Sequence, residues 1–112
     1  MRILAIERDV PGVNPKRMLP HLRKEAAAVW ALTKSDVLRG AWFTVADHRA
    51  VLMLECAGEA EGRQILDSLP LVQRRLIDFD VCTLRPYDGF ERLFSSDVQE
   101  AGAQPGPGGA PA

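Results

Sequence analysis

Blocks of apolar residues, separated by charged and turn-forming segments, predict four β-strands along the chain. The blocks cover residues 2–8, 37–44, 50–56 and 77–84. The last block alternates apolar with polar residues, which is typical of a strand with one polar side. The second and third blocks are separated only by a polar turn at residues 46–49, and such spacing predicts an antiparallel hairpin.

Two helices are predicted between the strands. The first is predicted from Pro20 to about Thr33. Its apolar stripe recurs at three- and four-residue spacing, begins just before the helix and is formed by Met18, Leu22, Ala26, Val29 and Thr33. Glu25 borders this stripe, whereas Ala28 is expected to face solvent. A second helix is predicted from Glu59 to Leu69, where Pro70 should end it.

The resulting order, β-α-β-β-α-β, predicts an α+β fold of the ferredoxin-like type. Right-handed crossovers then give a four-stranded antiparallel sheet with both helices on one face. The other face would carry bulky apolar residues that a monomer leaves uncovered. We therefore expect a homodimer or higher homo-oligomer that packs sheet against sheet.

The predicted domain covers residues 1–94 of the 112-residue chain. Three aromatic residues lie between positions 87 and 94, outside the predicted sheet, and we expect them to pack on the partner subunit or over a pocket mouth. Residues 95–112 form a tail rich in glycine, proline and alanine. Such a segment buries too little apolar surface to offset its ordering entropy, so we expect it to be disordered.

Charge and composition limit the classes of binding partner that the protein is expected to have. The formal net charge is −1, which gives no basic face for a nucleic acid or an anionic membrane. No apolar run approaches the roughly 20 residues of a membrane helix, and the charged N-terminus does not resemble a signal peptide. We expect a cytoplasmic protein that binds neither nucleic acid nor membrane.

The two cysteines, Cys56 and Cys82, fit no metal-binding spacing. In the predicted strand order they lie two strand spacings apart, about 10 Å, which is too far for a disulfide. We expect free, buried thiols. The sequence also has no glycine-rich phosphate loop, no Ser–His–Asp signature and no Cys-x-x-Cys pair. No cofactor or metal is therefore expected.

Three short segments carry a resemblance to a known family. They are Arg23-Lys24-Glu25 on the first helix, followed by a strand with Trp42; Ser68-Leu69-Pro70-Leu71 at the end of the second helix; and Leu84-Arg85-Pro86-Tyr87 after the last strand. In this order they resemble the muconolactone isomerases over residues 2–94. The resemblance implies a dimeric α+β barrel in which an acidic residue moves a proton along a small unsaturated lactone. Glu25 matches that acid.

Candidate site residues follow from the chemistry of such a proton shift. It needs a base, here Glu25, and a donor for the charge that develops on the carbonyl oxygen. His21 lies one helical turn before Glu25 and could orient it or donate to the substrate. Both residues also have a structural alternative. Glu25 could be a solvated glutamate that pairs with His21, and His21 could be an ordinary surface histidine.

Four further residues are candidates for substrate binding: Arg39, Trp42, His48 and Tyr87. Arg39 could bind a carboxylate with its guanidinium fork, or form a rim salt bridge. Trp42 could wall a pocket, or fill a core or interface. His48 lies in a hairpin turn, where turn chemistry is sufficient to explain the polar residues. Tyr87 could close a pocket or pack in the dimer.

Three classes of function remain open. The first is a cofactor-independent isomerase or proton-transfer enzyme acting on a small unsaturated lactone or carbonyl compound. The second is a cofactor-free oxygenase or cyclase for an aromatic or polyketide-like substrate, which only fold analogy supports. The third is a non-catalytic accessory protein that binds a small molecule. A pocket with an isolated buried carboxylate and a nearby arginine favours the first class, a wide aromatic-lined cavity the second, and a filled interior with Glu25 in solvent the third.

Overall fold

The computed structural model describes residues 1–94, in which four strands form a single antiparallel sheet. The strands are β1 (Arg2–Asp9), β2 (Leu38–Phe43), β3 (Ala50–Glu55) and β4 (Ile77–Leu84). They are arranged in the order β2-β3-β1-β4. This is the order of the ferredoxin-like fold, so the predicted fold class is confirmed. The predicted tail, residues 95–112, lies outside the described residues.

The helices pack on one face of this sheet. They are α1 (Leu22–Lys34), α2 (Glu59–Asp67) and α3 (Pro70–Gln73), with 3-10 helices at Pro15–His21 and Gly89–Leu93. The sequence predicted that Pro70 would end the second helix, but α2 already ends at Asp67. Pro70 instead begins α3, since the first helical position needs no backbone N–H. Among the helices of residues 1–94, none is long and apolar enough to cross a bilayer.

The hydrophobic core lies between the sheet and the helices. Because side chains alternate along a strand, Ile3 and Ala5 of β1 face the helices, and both are fully buried. The other buried core residues are Leu38, Leu52, Leu54, Leu66, Leu69, Leu71, Leu76, Ile77 and Phe79. Residues Ile77, Phe79 and Val81 of β4 also point inward, which agrees with the strict alternation of its sequence.

The buried side of α1 differs from the predicted stripe. Leu22 is 45% exposed, and Ala26 and Thr33 are exposed as well. Ala28, which was expected to face solvent, packs against the core together with Val29 and Leu32. The prediction was therefore right for Met18 and Val29 and wrong for the other three members of the stripe, because this alanine-rich helix offers two apolar sides of similar strength.

The opposite face of the sheet is open in the single chain and carries apolar side chains. They are Leu4, Ile6, Trp42, Val51, Met53 and Leu84, with Ile6 40% and Trp42 57% exposed. This agrees with the expected uncovered face, while its pairing with a second copy stays a prediction. Cys82 also lies on this face and is exposed, so the expectation of two buried thiols was wrong for the edge strand. Both cysteines are free.

Candidate functional site

Glu25 lies at the junction between α1 and α3, with its side chain partly buried. It lies three residues before Ala28 and seven before Leu32, so it shares the core-facing side of α1. Its Oε1 accepts a hydrogen bond of 3.0 Å from the backbone N–H of Leu71. Leu71 is the second residue of α3, and an N–H in a first helical turn has no partner within its own helix. Glu25 therefore caps α3 from another element.

Burial raises the pKa of the Glu25 carboxyl above its ordinary value, because the charged form loses hydration. The hydrogen bond from Leu71 lowers that pKa in part, and the negative charge of Glu7 raises it further. The net direction is upward. A carboxylate with a raised pKa is a stronger base at neutral pH than an ordinary glutamate, which is the property that a proton-transfer site requires.

Glu7, the source of that charge, lies on the helix-facing side of β1, two residues after Ala5. Its Oε1 accepts a hydrogen bond of 2.8 Å from the backbone N–H of Ala50. The ladder of residue pairs between β1 and β3 ends at Ile6 and Val51, so the Glu7 side chain bridges the strands where the pairing stops. The sequence analysis missed Glu7, although its alternation with the apolar Ile3 and Ala5 indicates an inward position.

Arg49 ties the β2–β3 hairpin to β1 beside Glu7. Its guanidinium donates to the Glu7 backbone carbonyl at 3.1 Å, to Asp9 at 3.1 Å and to Asp47 at 2.7 Å. The Thr44 hydroxyl, which donates to Asp47, accepts from the Arg49 backbone N–H at 2.8 Å. The Thr44 hydroxyl and Arg49 hold the pKa of Asp47 below its usual value. This guanidinium is therefore paired with two other carboxylates, and among residues 1–94 no salt bridge to the Glu7 carboxylate is formed.

His48 stacks on Phe43 at the same end of the sheet. The ring centroids are 4.0 Å apart and the planes differ by 11°. His48 has a backbone φ of 55°, in the left-handed region, within the turn between β2 and β3. Phe43 of β2 lies opposite Ala50 of β3 in the sheet, and the backbone N–H of Ala50 donates a hydrogen bond to the Glu7 side chain. The stacked rings and Glu7 thus lie in one row across the helix-facing side, with Phe43 59% exposed.

His21 lies at the junction of the first 3-10 helix and α1, one turn before Glu25. It is the N-terminal cap residue of α1, but its side chain makes no capping hydrogen bond. It is partly buried. Within residues 1–94 no hydrogen bond or salt bridge joins His21 to Glu25, so the ion pair considered from the sequence is not formed there.

The remaining three candidates lie away from Glu25 in the single chain. Arg39 donates through Nε to the backbone carbonyl of Asp36 at 2.7 Å and also pairs with its carboxylate. Trp42 lies on the open face, where its ring covers Gly40. Tyr87 lies at the other end of the sheet, beyond the end of β4. The structure therefore brings Glu25, His21 and His48 to one end of the helix-facing side, and separates them from Arg39, Trp42 and Tyr87.

Tyr87 lines a groove that sequence patterns do not reveal, because it depends on how the start of β1 lies against the residues that follow β4. The groove has a volume of about 740 Å³. It is lined by Met1, Arg2, Glu55, Ala57, Leu84, Arg85, Pro86 and Tyr87. Within the groove, the Glu55 carboxylate forms ion pairs of 2.8 Å with the Met1 ammonium and 3.4 Å with Arg2. Arg85 is the other cationic side chain that lines it.

Metal binding is not supported in the part of the chain that the structure describes. Among residues 1–94, no three or more histidine, cysteine, aspartate or glutamate side chains are grouped so that they could hold a metal ion.

Comparison with known proteins adds a fold relationship. No family model and no curated protein sequence matches the chain. Among solved structures, the fold is similar to that of 5-chloro-2-hydroxyhydroquinone dehydrochlorinase from Burkholderia phenoliruptrix AC1100, in a complex with 2,5-dihydroxybenzoquinone. The TM-score is 0.64 at 14% identity, and the match covers 80% of this chain and 98% of that one. At this identity the likeness shows a shared α+β fold.

Proposed function

We propose that this protein is a cofactor-independent proton-transfer enzyme, related to the muconolactone isomerases, with Glu25 as its base. The substrate class is a small unsaturated lactone or carbonyl compound, and the working form is a cytoplasmic homodimer. The observation that carries the proposal is the state of Glu25. It is partly buried, one oxygen is fixed by the Leu71 N–H, and within residues 1–94 it has no salt-bridge partner.

The proposed reaction is an allylic proton shift. Glu25 removes a proton from the carbon between the carbonyl group and an isolated double bond, and the electron pair of that C–H bond forms an enolate. The same carboxyl group returns the proton at the far end of the conjugated system, so no electrons are gained or lost. The raised pKa of Glu25 suits both steps. The fixed Oε1 leaves Oε2 as the oxygen that carries the proton.

His21 is the proposed donor for the charge on the enolate oxygen. It lies one turn before Glu25 on the same side of α1, and its side chain is not used for capping. A preorganised donor at a developing oxyanion is often the largest single contribution to catalysis. The fold supports this proposal only in general terms, since a solved enzyme with a similar fold acts on a ring compound.

A second candidate function is a non-catalytic protein that binds a small molecule. The observation that favours it is the same hydrogen bond to Leu71, because a carboxylate that caps α3 has a structural role without catalysis. The two candidates differ in whether neutralising Glu25 changes a rate.

The deciding experiment follows the isomerisation of α-angelica lactone, a β,γ-unsaturated five-membered lactone, by absorbance and by deuterium uptake from D2O. Glu25→Gln keeps the shape of the side chain and an acceptor for Leu71, but removes the base. We expect a rate loss of about 100-fold or more. The matched control is Glu59→Gln, which removes an equal charge from an exposed position on α2. If wild type has no activity, or if Glu25→Gln and Glu59→Gln retain it equally, the enzyme proposal is wrong and the second candidate function, a non-catalytic binding protein, takes its place.

A further inference from the structure

A groove with the size of a small-molecule site lies at one end of the sheet. It has a volume of about 740 Å³ and lies between the start of β1 and the residues that follow β4. Small-molecule sites in proteins usually have volumes of about 300 to 1,000 Å³. The groove is therefore large enough for a compound that contains an aromatic ring.

This groove is separate from the Glu25 site. Glu25 is bonded to Leu71, and the Leu71 carbonyl accepts from the backbone N–H of Leu76, directly before β4 begins. The groove, by contrast, adjoins Leu84, where β4 ends. The eight residues of β4 span roughly 20 Å. A small ligand in the groove is therefore out of reach of Glu25.

The charges that line the groove are mostly positive, although the chain as a whole has a formal net charge of −1. Three cationic groups line it, those of Met1, Arg2 and Arg85, together with the single carboxylate of Glu55. Glu55 is already paired with the Met1 ammonium at 2.8 Å and with Arg2 at 3.4 Å. Within residues 1–94, Arg85 forms neither a salt bridge nor a hydrogen bond. Its guanidinium is therefore the group in this groove that is available to an anion from solution.

An aromatic ring and aliphatic side chains supply the rest of the lining. The Tyr87 ring is in edge-to-face contact with Phe90, with the ring centroids 4.8 Å apart. A Cβ added at Gly89 would collide with the same ring. Two residues of the following segment thus hold the Tyr87 ring in place, and Leu84 and Pro86 add aliphatic surface. A fixed aromatic ring close to a guanidinium suits a flat ligand that carries an acid group.

We propose that this groove is a second binding site, and that its ligand is a small organic acid with the carboxylate on an aromatic ring. Arg85 binds the carboxylate through two parallel N–H donors, a geometry that the planar guanidinium provides. Tyr87 packs against the ring of the ligand. The site does not use Glu25, so it adds a ligand to the protein whichever of the two candidate functions is correct.

Benzoate and benzamide test the charge requirement, because they share the ring and differ by one charge. Binding is followed in NMR titrations of the full chain, with the backbone N–H signals of Ala57 and Tyr87 as reporters of the groove and those of Ala50 and Leu71 as reporters of the Glu25 site. We expect benzoate to move the groove signals and to bind at least about tenfold more tightly than benzamide. Acetate, which has the charge without the ring, should also bind at least about tenfold more weakly than benzoate.

Variants test the two residues that bind the ligand. Arg85→Gln should weaken benzoate binding about tenfold or more and leave benzamide binding unchanged. The matched control is Arg74→Gln, which removes an equal charge from an exposed position before the other end of β4 and should have no effect. Gly89→Ala displaces the Tyr87 ring and should weaken benzoate binding about threefold or more.

The proposal is overturned if benzoate does not bind up to about 10 mM or binds no more tightly than benzamide. It is also overturned if Arg85→Gln and Arg74→Gln have equal effects, or if the shifts are confined to Ala50 and Leu71. The result is separable from the test of catalysis, since Glu25→Gln should slow lactone isomerisation and leave the benzoate affinity unchanged.

Discussion

The carboxylate of Glu25 accepts a 3.0 Å hydrogen bond from the backbone N–H of Leu71, which joins α1 to the first turn of α3. The two residues are 46 positions apart in the sequence. The contact gives Glu25 two separate properties, a structural bond through Oε1 and a free oxygen at Oε2. Experiments on this residue must therefore separate stability from chemistry.

The first prediction concerns the structural bond. Glu25→Ala removes the acceptor and leaves the Leu71 N–H without a partner, whereas Glu25→Gln keeps an acceptor in place. We expect the alanine variant to be less stable than the glutamine variant by about 1 kcal/mol, as for the loss of a helix cap. Urea unfolding measures the difference. Equal midpoints for the two variants would show that the cap contributes nothing.

The second prediction concerns the pH dependence of stability. Burial, together with the charge of Glu7, raises the pKa of Glu25 in the folded state. The folded protein therefore binds more protons than the unfolded chain, and the contribution of Glu25 to stability decreases as pH rises from about 4.5 through its raised pKa. We expect Glu25→Gln to remove this decrease. The free energy of unfolding, measured from about pH 4 to 8, should diverge between wild type and Glu25→Gln but not between wild type and Glu59→Gln.

The third prediction has the opposite sign and concerns Asp78. Partial burial raises the pKa of Asp78, but the N–H of Phe79 and the charges of Arg63 and Arg8 outweigh it, so that the net pKa is lowered. Its ion pairs measure 2.7 Å to Arg8 and 3.0 Å to Arg63. The contribution of Asp78 to the free energy of unfolding is therefore complete above about pH 3.8 and is lost as pH falls below that value.

Asp78→Asn should accordingly be less stable than wild type by about 1 kcal/mol at neutral pH, a modest value because all three side chains are partly solvated. The difference should close as pH falls below about 3.8. Asp67→Asn, at an exposed position on α2, is the control and should change little. A difference for Asp78→Asn that persists unchanged at acid pH would contradict the assignment.

The fold was predictable from the sequence because its signals are local. Strict alternation from Ile77 to Leu84 marks β4 with the same limits as the structure, and the order of elements determines the strand order. Which side of α1 faces the core was not predictable in the same way. Its alanines give weak periodicity, so tertiary packing decided that Ala28 faces the core and Leu22 does not.

The candidate site was predictable only in part, for a different physical reason. Glu25 was identified through the family resemblance, but the hydrogen bond to Leu71 depends on how α1 meets α3. Glu7 could have been placed inward from alternation alone. Its contact with Ala50 depends on where the β1–β3 ladder ends, which local patterns do not encode.

The last prediction concerns the open face of the sheet, which we expect to bury against a second copy. Ile6 lies on this face in the central strand β1 and is 40% exposed, while Leu22 on α1 is 45% exposed on the helix side. The two residues are matched in type and exposure, so they separate the two faces. A sheet-to-sheet dimer of standard size buries about 1,600 Å² in total.

Ile6→Lys should convert the dimer to a monomer, because it places a charge at the centre of an apolar interface, where an unpaired buried charge is strongly unfavourable. Leu22→Lys should leave the dimer intact. Sedimentation velocity on the full chain at micromolar concentration distinguishes the two. A wild-type monomer, or a dimer disrupted by Leu22→Lys and not by Ile6→Lys, would show that the sheet face is not the interface.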